Sequence, residues 1–309
     1  MKTRLPFLSL MTVIVLACAN MRAQQVADPD FNPPIDKPAY LAERGPVVMI
    51  DESHSNFHTA GGRYKPFADL LRRDGYRVLP LAAKFSKESL KGCDILVVAN
   101  AVAERNREDW SLPTPSAFTD EEIASVREWV RGGGSLFLIV DHMPFPGAAE
   151  KLGAAFSAKW NNGYAIDPAA KGPIVFKRSD GSLADHPVTN GRNASERVDS
   201  VATFTGSAFQ AEGASPLLTF KGEVVSLMTT NAGEFKPDTP RVGVKNWRQG
   251  ALLRVGKGRV ALFGEAAMFS AQLAGPQRGP MGMNAPVASQ NYRLLLNVLH
   301  WLSGLLGEN

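Results

Sequence analysis

The feature that most constrains this chain is a set of short apolar runs of strand length that end in polar, chemically capable residues. Pro46-Val47-Val48-Met49-Ile50 ends in Asp51, Ser135–Val140 ends in Asp141-His142, and Arg259–Phe263 ends in Gly264-Glu265. A run that is apolar at every position must be covered on both faces, which suits a central parallel strand. Between the runs lie helical patterns. Tyr64–Asp74 carries Phe67, Leu70 and Leu71 at helical spacing and stops at Gly75. Thr119-Asp120-Glu121-Glu122 forms a capping box ahead of Ile123, Val126, Trp129 and Val130, and Gly132-Gly133-Gly134 ends that helix. Further strands are expected at Arg77–Leu81 and Asp94–Asn100, and a closing amphipathic helix at Gln290–Leu302. Alternation of this kind predicts βαβ units with right-handed crossovers. The expected fold is α/β: a flavodoxin-like three-layer sandwich with a mostly parallel central sheet.

Three regions stand apart. Residues 1–23 read as a secretory signal: Lys2 and Arg4 precede an apolar stretch, Leu5 to Ala17, too short to span a bilayer. Cleavage is expected at Ala17-Cys18-Ala19 or at Ala23-Gln24, or by lipoprotein processing at Cys18, although Leu16 departs from the usual lipobox residue. The protein is therefore expected to be exported, periplasmic or extracellular, with a lipid anchor at Cys18 as its only route to a membrane. Residues 24–45 read as an extended N-terminal arm. Residues 46–303 form the α/β domain, in which about 160–250 is a β-rich insertion, with short runs at Ile174–Phe176, Val201–Phe204, Leu217–Phe220 and Val224–Met228. Ala251–Val255 and Arg259–Phe263 are expected to pair as a hairpin across Gly256-Lys257-Gly258.

The 309 residues are 44% hydrophobic and 21% charged, with a formal charge of +4, which describes a folded globular chain rather than a disordered one. No basic run or interleaved aromatic pattern points to nucleic acid, so none is expected as a partner. With Cys18 removed or lipidated, Cys93 stands alone and is read as a small buried residue at a strand entrance.

Ligands of open parallel sheets bind outside the carboxyl ends of the strands. His54, His58 and His142 lie there, three of the five histidines in the chain. The candidate catalytic set is Glu52, His54, Asp141, His142 and Glu265, with Asp51, Asn56, His58, Asn284 and Asn291 as ligand-binding candidates. Two chemistries stay open. His54 and His58, four apart, share one face of a helix if a helix forms there; with Asp141, His142 and Glu265 they would then hold a divalent metal such as zinc. Alternatively, crowding of Glu52, Asp141 and Glu265 raises a carboxyl pKa while a histidine shuttles a proton. Against both stands a structural role, since strand-end acids also cap helices. His186 and His300 are read as a turn anchor and a packed helix residue.

The strands Val47–Ile50 and Leu136–Val140, the run Gly258-Arg259-Val260-Ala261-Leu262-Phe263-Gly264-Glu265, and the final helix with Asn291, Leu296-Asn297 and Trp301-Leu302 resemble the class I glutamine amidotransferase-like superfamily. The likeness is closer to uncharacterised exported members and to gliding-motility and trehalose-utilisation-type relatives. It spans most of residues 46–302. The family's catalytic Cys is missing: Asp141-His142-Met143-Pro144 follows the strand where an elbow nucleophile would sit, and no Gly-x-Cys-x-Gly or Gly-x-Ser-x-Gly occurs. The resemblance implies a domain without glutaminase activity that binds a small ligand, a sugar or cell-envelope fragment, in a His/carboxylate crevice. The competing expectations are a metal-assisted or acid–base hydrolase on the same residues, and a structural envelope interaction protein.

Overall fold

The computed structural model describes residues 25–170 and 172–307; the expected signal segment and Cys18 lie outside them. A nine-stranded mixed sheet organises the chain. Its strands are β1 (Val47–Asp51), β2 (Arg77–Leu81), β3 (Ile95–Ala99), β4 (Ser135–Ile139), β5 (Ala158–Trp160), β6 (Phe209–Ala211), β7 (Ser215–Thr219), β8 (Arg248–Val255) and β9 (Gly258–Phe263). The order is β2-β1-β3-β4-β9-β8-β6-β5, with β7 also paired to β8. The five strands from β2 to β9 run parallel. The β8–β9 hairpin then turns the rest of the sheet antiparallel.

Four helices cover this sheet: α1 (Lys65–Arg73), α2 (Asp120–Gly132), α3 (Phe145–Ala154) and α4 (Asn291–Leu302). Side chains alternate across a strand, so each apolar run feeds two cores. Ile50, Val97, Phe137, Ile139 and Phe263 pack with Phe67, Leu70 and Leu71 of α1 and Leu294, Leu295 and Val298 of α4. Leu96, Val98, Leu136, Leu138 and Leu262 pack with Val126 and Val130 of α2 and Ala148 and Leu152 of α3. Each large apolar side chain so buried contributes about 1.5–3 kcal/mol. The capping box forms as read: Thr119 accepts from the Glu122 N–H, and the Glu122 carboxylate accepts from the Thr119 N–H. Helix α3 was not foreseen in the sequence; Pro144 just before it, Pro146, and the glycines at 147 and 153 obscure the helical period.

The β-rich segment does not stand apart from the sheet. Strands β5, β6 and β7 extend it, while smaller antiparallel sheets form at its flank, including Ile174–Lys177 with Ser200–Thr203. The arm begins as a strand, Gln25–Ala27, paired with Ala271–Ala274. It then fastens to the corner after α1, where the Ala39 N–H donates to the Asp74 carboxylate and the Tyr40 N–H to the Asp74 carbonyl. Gly75 permits this contact: its φ is +95°, and a Cβ there would lie 2.4 Å from the Tyr40 carbonyl oxygen. No helix among the described residues is long and apolar enough to cross a membrane.

Candidate functional site

The loop after β1 decides the fate of the first candidates. It does not continue as a helix: α1 begins only at Lys65, and Ser55 has φ +48°. His54 and His58 therefore do not share a helical face, and the helix on which the metal reading depended is absent.

His54 turns under the loop. Its Nδ1 meets Asp51 Oδ2 at 2.9 Å and its Nε2 meets Glu122 Oε1 at 2.9 Å. Phe85 and Phe118 pack on the ring, each with its centroid 4.6 Å away. Asp51 also accepts from the Ser53 N–H and hydroxyl and from Asn56 Nδ2. Glu122 also accepts from the Phe85 N–H at 3.1 Å. Burial opposes ionisation of Glu122, but hydrogen bonds from Thr119, His54 and Phe85 outweigh it and hold its pKa below the usual value. Asp51, His54, Asn56 and Glu122 thus form a clamp that ties the β1 loop to the start of α2. Glu52 points elsewhere and accepts from the Ala60 N–H at 2.8 Å.

His58 takes the opposite direction. Its Nδ1 lies 3.3 Å from Asn100 Nδ2. An amide nitrogen can only donate, so Nδ1 accepts and Nε2 carries the proton. That Nε2 is buried and has no hydrogen-bond partner. Tyr64 packs on the ring at 4.5 Å. Burial, then the charge of Arg63 and the proximity of His142, lower the His58 pKa to about 3.

Asn100 links this group together. Besides facing His58, its Oδ1 accepts from the Asp141 N–H at 2.9 Å, and its carbonyl accepts from the Phe57 N–H. It adopts φ +49°, a conformation that Asn tolerates better than most residues. The sequence reading passed over Asn100, although its place at the end of an apolar strand was the same signal that marked Asp51 and Asp141.

Asp141 accepts from the His142 N–H at 2.7 Å and from the Ala266 N–H at 3.3 Å. Glu265 is fully buried; its two oxygens accept from Ala267 N and Met268 N at 3.0 and 2.6 Å, capping the turn after β9. Burial and the neighbouring Asp141 charge push the Glu265 pKa well above the carboxylate range. The Tyr64 hydroxyl donates to the Ala266 carbonyl, and burial with those same two acids raises its pKa.

Over this buried group lies a layer of rings. His142 stacks on Tyr164 at 4.2 Å and 15°, with its Nδ1 2.8 Å from the Met143 carbonyl oxygen. Trp110 stands edge-on to Phe57 at 5.2 Å, and Arg63 lies 3.7 Å over the Phe57 ring. Phe235, 52% exposed, meets Tyr164 at 5.0 Å. The loops that carry Trp110 and Phe235 are joined through the Ala232 N–H and the Trp110 carbonyl. The expected crevice is therefore roofed: His58 and Glu265 are buried, Asp141 is 7% exposed, and His142, Phe57, Trp110 and Arg63 are partly exposed above them.

The structure brings together His58, Asp141, His142 and Glu265, and it separates them from the His54 clamp. Among the described residues no three His, Cys, Asp or Glu side chains are grouped to hold a metal ion. Asn284 and Asn291 serve the scaffold. Asn291 bonds the backbone of Ala202 and Met268, and Asn284 donates to Asp28 and to the Gln272 carbonyl. His186 caps the short helix Pro187–Asn190, and His300 pairs with Asp74 at 2.7 Å, both structural as read.

No protein-family model matches the chain, and no curated protein is similar to it in sequence. Solved structures are similar in fold. The mmIFT52 N-terminal domain aligns with a TM-score of 0.57 at 14% identity, covering 83% of this chain and 97% of that one. The cytoplasmic protein STM3548 from Salmonella typhimurium aligns at 0.50 and 16% identity, covering 83% and 98%. A ThuA-like protein from Bacteroides uniformis ATCC 8492 aligns at 0.44 and 13% identity, covering 88% and 94%. At these identities the likeness concerns the fold.

Proposed function

We propose that this chain is an exported, flavodoxin-like three-layer domain of the amidotransferase-like kind that binds a small polar ligand, a carbohydrate or cell-envelope fragment, without hydrolysing glutamine. The strand order β2-β1-β3-β4-β9 supports the flavodoxin-like assignment, because it reverses direction between β1 and β3. Ligands of such sheets sit at that reversal, and here the loops after β1 and β3 meet through Phe57 and Asn100.

The observation that carries the reading is the partly exposed ring layer of Phe57, Trp110 and His142 standing over the His58–Asn100–Asp141 group. Aromatic faces take the apolar side of a sugar ring, and His142, partly exposed among them, supplies a polar contact. Acid–base hydrolysis is the second reading: Glu265 has a raised carboxyl pKa beside Asp141, but both its oxygens accept from the backbone N–H groups of Ala267 and Met268 and the residue is fully buried.

Titrating the protein with a panel of mono- and oligosaccharides and peptidoglycan fragments, followed by NMR chemical shifts, tests the reading. Binding is expected to move the Trp110 indole signal, and Trp110→Ala is expected to weaken it at least tenfold. Absence of binding across the panel, or binding that Trp110→Ala leaves unchanged, overturns it. Ammonia release from glutamine is expected to stay at background.

A further inference from the structure

The two histidines of the ring-layer site are fixed in opposite tautomers, each by a partner whose role in a hydrogen bond is unambiguous. The Asn100 amide is oriented by the Asp141 N–H, which can only donate to Oδ1. Its Nδ2 therefore faces His58 Nδ1, and the His58 proton sits on the buried Nε2. His142 is fixed the other way. Its Nδ1 lies 2.8 Å from the Met143 carbonyl oxygen, which can only accept, so Nδ1 carries the proton. In the neutral ring Nε2 then keeps a lone pair.

The direction of that lone pair is also fixed. The ring stacks on Tyr164 at 4.2 Å and 15°, and Phe235 braces Tyr164 edge-on at 5.0 Å. The His142 N–H is tied to Asp141 Oδ1 at 2.7 Å. Turning the ring over would set a C–H against the Met143 carbonyl and lose the Nδ1 bond. His142 is partly exposed, and among the described residues its Nε2 has no hydrogen-bond partner and is not one of the buried unpaired atoms. It is a hydrogen-bond acceptor held ready in one orientation, which lowers the ordering cost of binding.

An acceptor without a proton selects a ligand group that brings one. A free hydroxyl qualifies; an ether, an ester or an ionised carboxylate does not. The neighbouring Asp141 carboxylate does not relax this demand, because it too only accepts. We infer that His142 is the specificity-determining residue of the ring-layer site: its Nε2 accepts from one unsubstituted sugar hydroxyl while the Trp110 and Phe57 rings take the apolar face. The ligand is then a saccharide whose hydroxyl at that position is free, not etherified, acylated or oxidised to a carboxylate. This rests on the ring-layer reading above and narrows its ligand class.

The test has two parts. The first is made on the wild-type protein at about pH 8, above the ordinary histidine range. Long-range proton–nitrogen NMR correlations are expected to show His142 with its proton on Nδ1 and a bare Nε2, the His142 signals being those that disappear in His142→Phe. A proton on Nε2 overturns the inference before any sugar is added. In the second part the methyl glycosides of glucose, galactose, mannose and N-acetylglucosamine are titrated beside their monodeoxyfluoro analogues. Fluorine keeps much of the size and polarity of the hydroxyl but has no proton to give. For a glycoside that binds, the analogue fluorinated at one position is expected to bind about tenfold more weakly, the loss of one hydrogen bond. His142→Phe, which keeps a ring on Tyr164, is expected to bind the parent glycoside about tenfold more weakly and to bind that analogue as well as the parent. Equal binding of all analogues, a deficit that persists in His142→Phe, or no binding of any of the four glycosides overturns the inference. The ring-layer reading fails separately, when the wider saccharide and peptidoglycan panel does not bind or Trp110→Ala has no effect.

Discussion

His54 and His58 belong to one loop, four residues apart, and the fold gives them opposite environments. His54 has carboxylates on both nitrogens and lies buried at the start of α2, between Phe85 and Phe118. His58 has an amide on one nitrogen, nothing on the other, and sits under the ring layer. Buried polarity that is fully paired acts as scaffold. A buried polar atom left without a partner, such as His58 Nε2, is where a water or a ligand atom can be accepted, and His58 is set apart from the other such atoms by lying under partly exposed rings. The comparison moves the functional reading from His54 and Glu52 to His58, Asn100, Asp141 and His142.

The largest expected effect tests the scaffold half. His54→Ala leaves Asp51 and Glu122 facing a void and is expected to lower the unfolding free energy by about 3–5 kcal/mol in urea denaturation. A loss below about 1 kcal/mol would show that the clamp holds nothing. The same variant should leave saccharide binding by the surviving folded protein unchanged.

The next effect concerns His58, whose folded pKa of about 3 lies below the unfolded value of 6.5. The unfolded chain binds the extra proton between these values, so the contribution of His58 is complete above 6.5 and is lost as pH falls. From pH 7 to pH 5 that loss is about 2 kcal/mol. His58→Phe, which keeps a ring against Tyr64, should lack it, and denaturation midpoints at the two pH values measure the difference.

Glu265 works in the other direction. Its folded pKa is raised above the unfolded 4.5, so its contribution is present below 4.5 and is lost as pH rises. Between pH 5 and pH 6 the unfolded chain gives up this proton more readily than the folded protein does, so stability falls across the interval. The two groups therefore oppose each other in that interval, and the wild-type profile is expected to be flatter than either variant's. His58→Phe should lose stability as pH rises from 5 to 6, and Glu265→Gln should gain it. Parallel profiles for wild type and Glu265→Gln would mean that Glu265 is ionised in the folded protein. The smallest effect is at Asn284, whose bonds to Asp28 and to the Gln272 carbonyl clip the arm to the Ala271–Ala274 strand. Asn284→Ala is expected to cost about 1 kcal/mol and to leave ligand binding unaltered.

The elements with regular periods were legible in the sequence. Strands β1 to β4 and β9, helices α1, α2 and α4, and the cap at Thr119 all lie within a residue or two of where the pattern placed them. The β-rich segment was legible only as short strands. Nothing in the pattern of Phe209–Ala211 or Ser215–Thr219 says which sheet they join, because pairing partners of short strands are set by contacts far along the chain.

What the sequence determined by itself was that polar residues stand at the carboxyl ends of buried strands. The chain turns out of the sheet there, yet Asp51 and Glu265 stay fully buried, so they persist only because histidine and backbone N–H groups pair with them. Which of those residues cooperate was decided by the tertiary structure. Glu122, 68 residues from His54, claims one histidine for the scaffold. Asn100, 42 residues from His58, turns the other toward Asp141 and the ring layer. A side chain's hydrogen-bond partners depend on which surfaces the packed helices bring within about 3 Å, and no spacing along the chain encodes that distance.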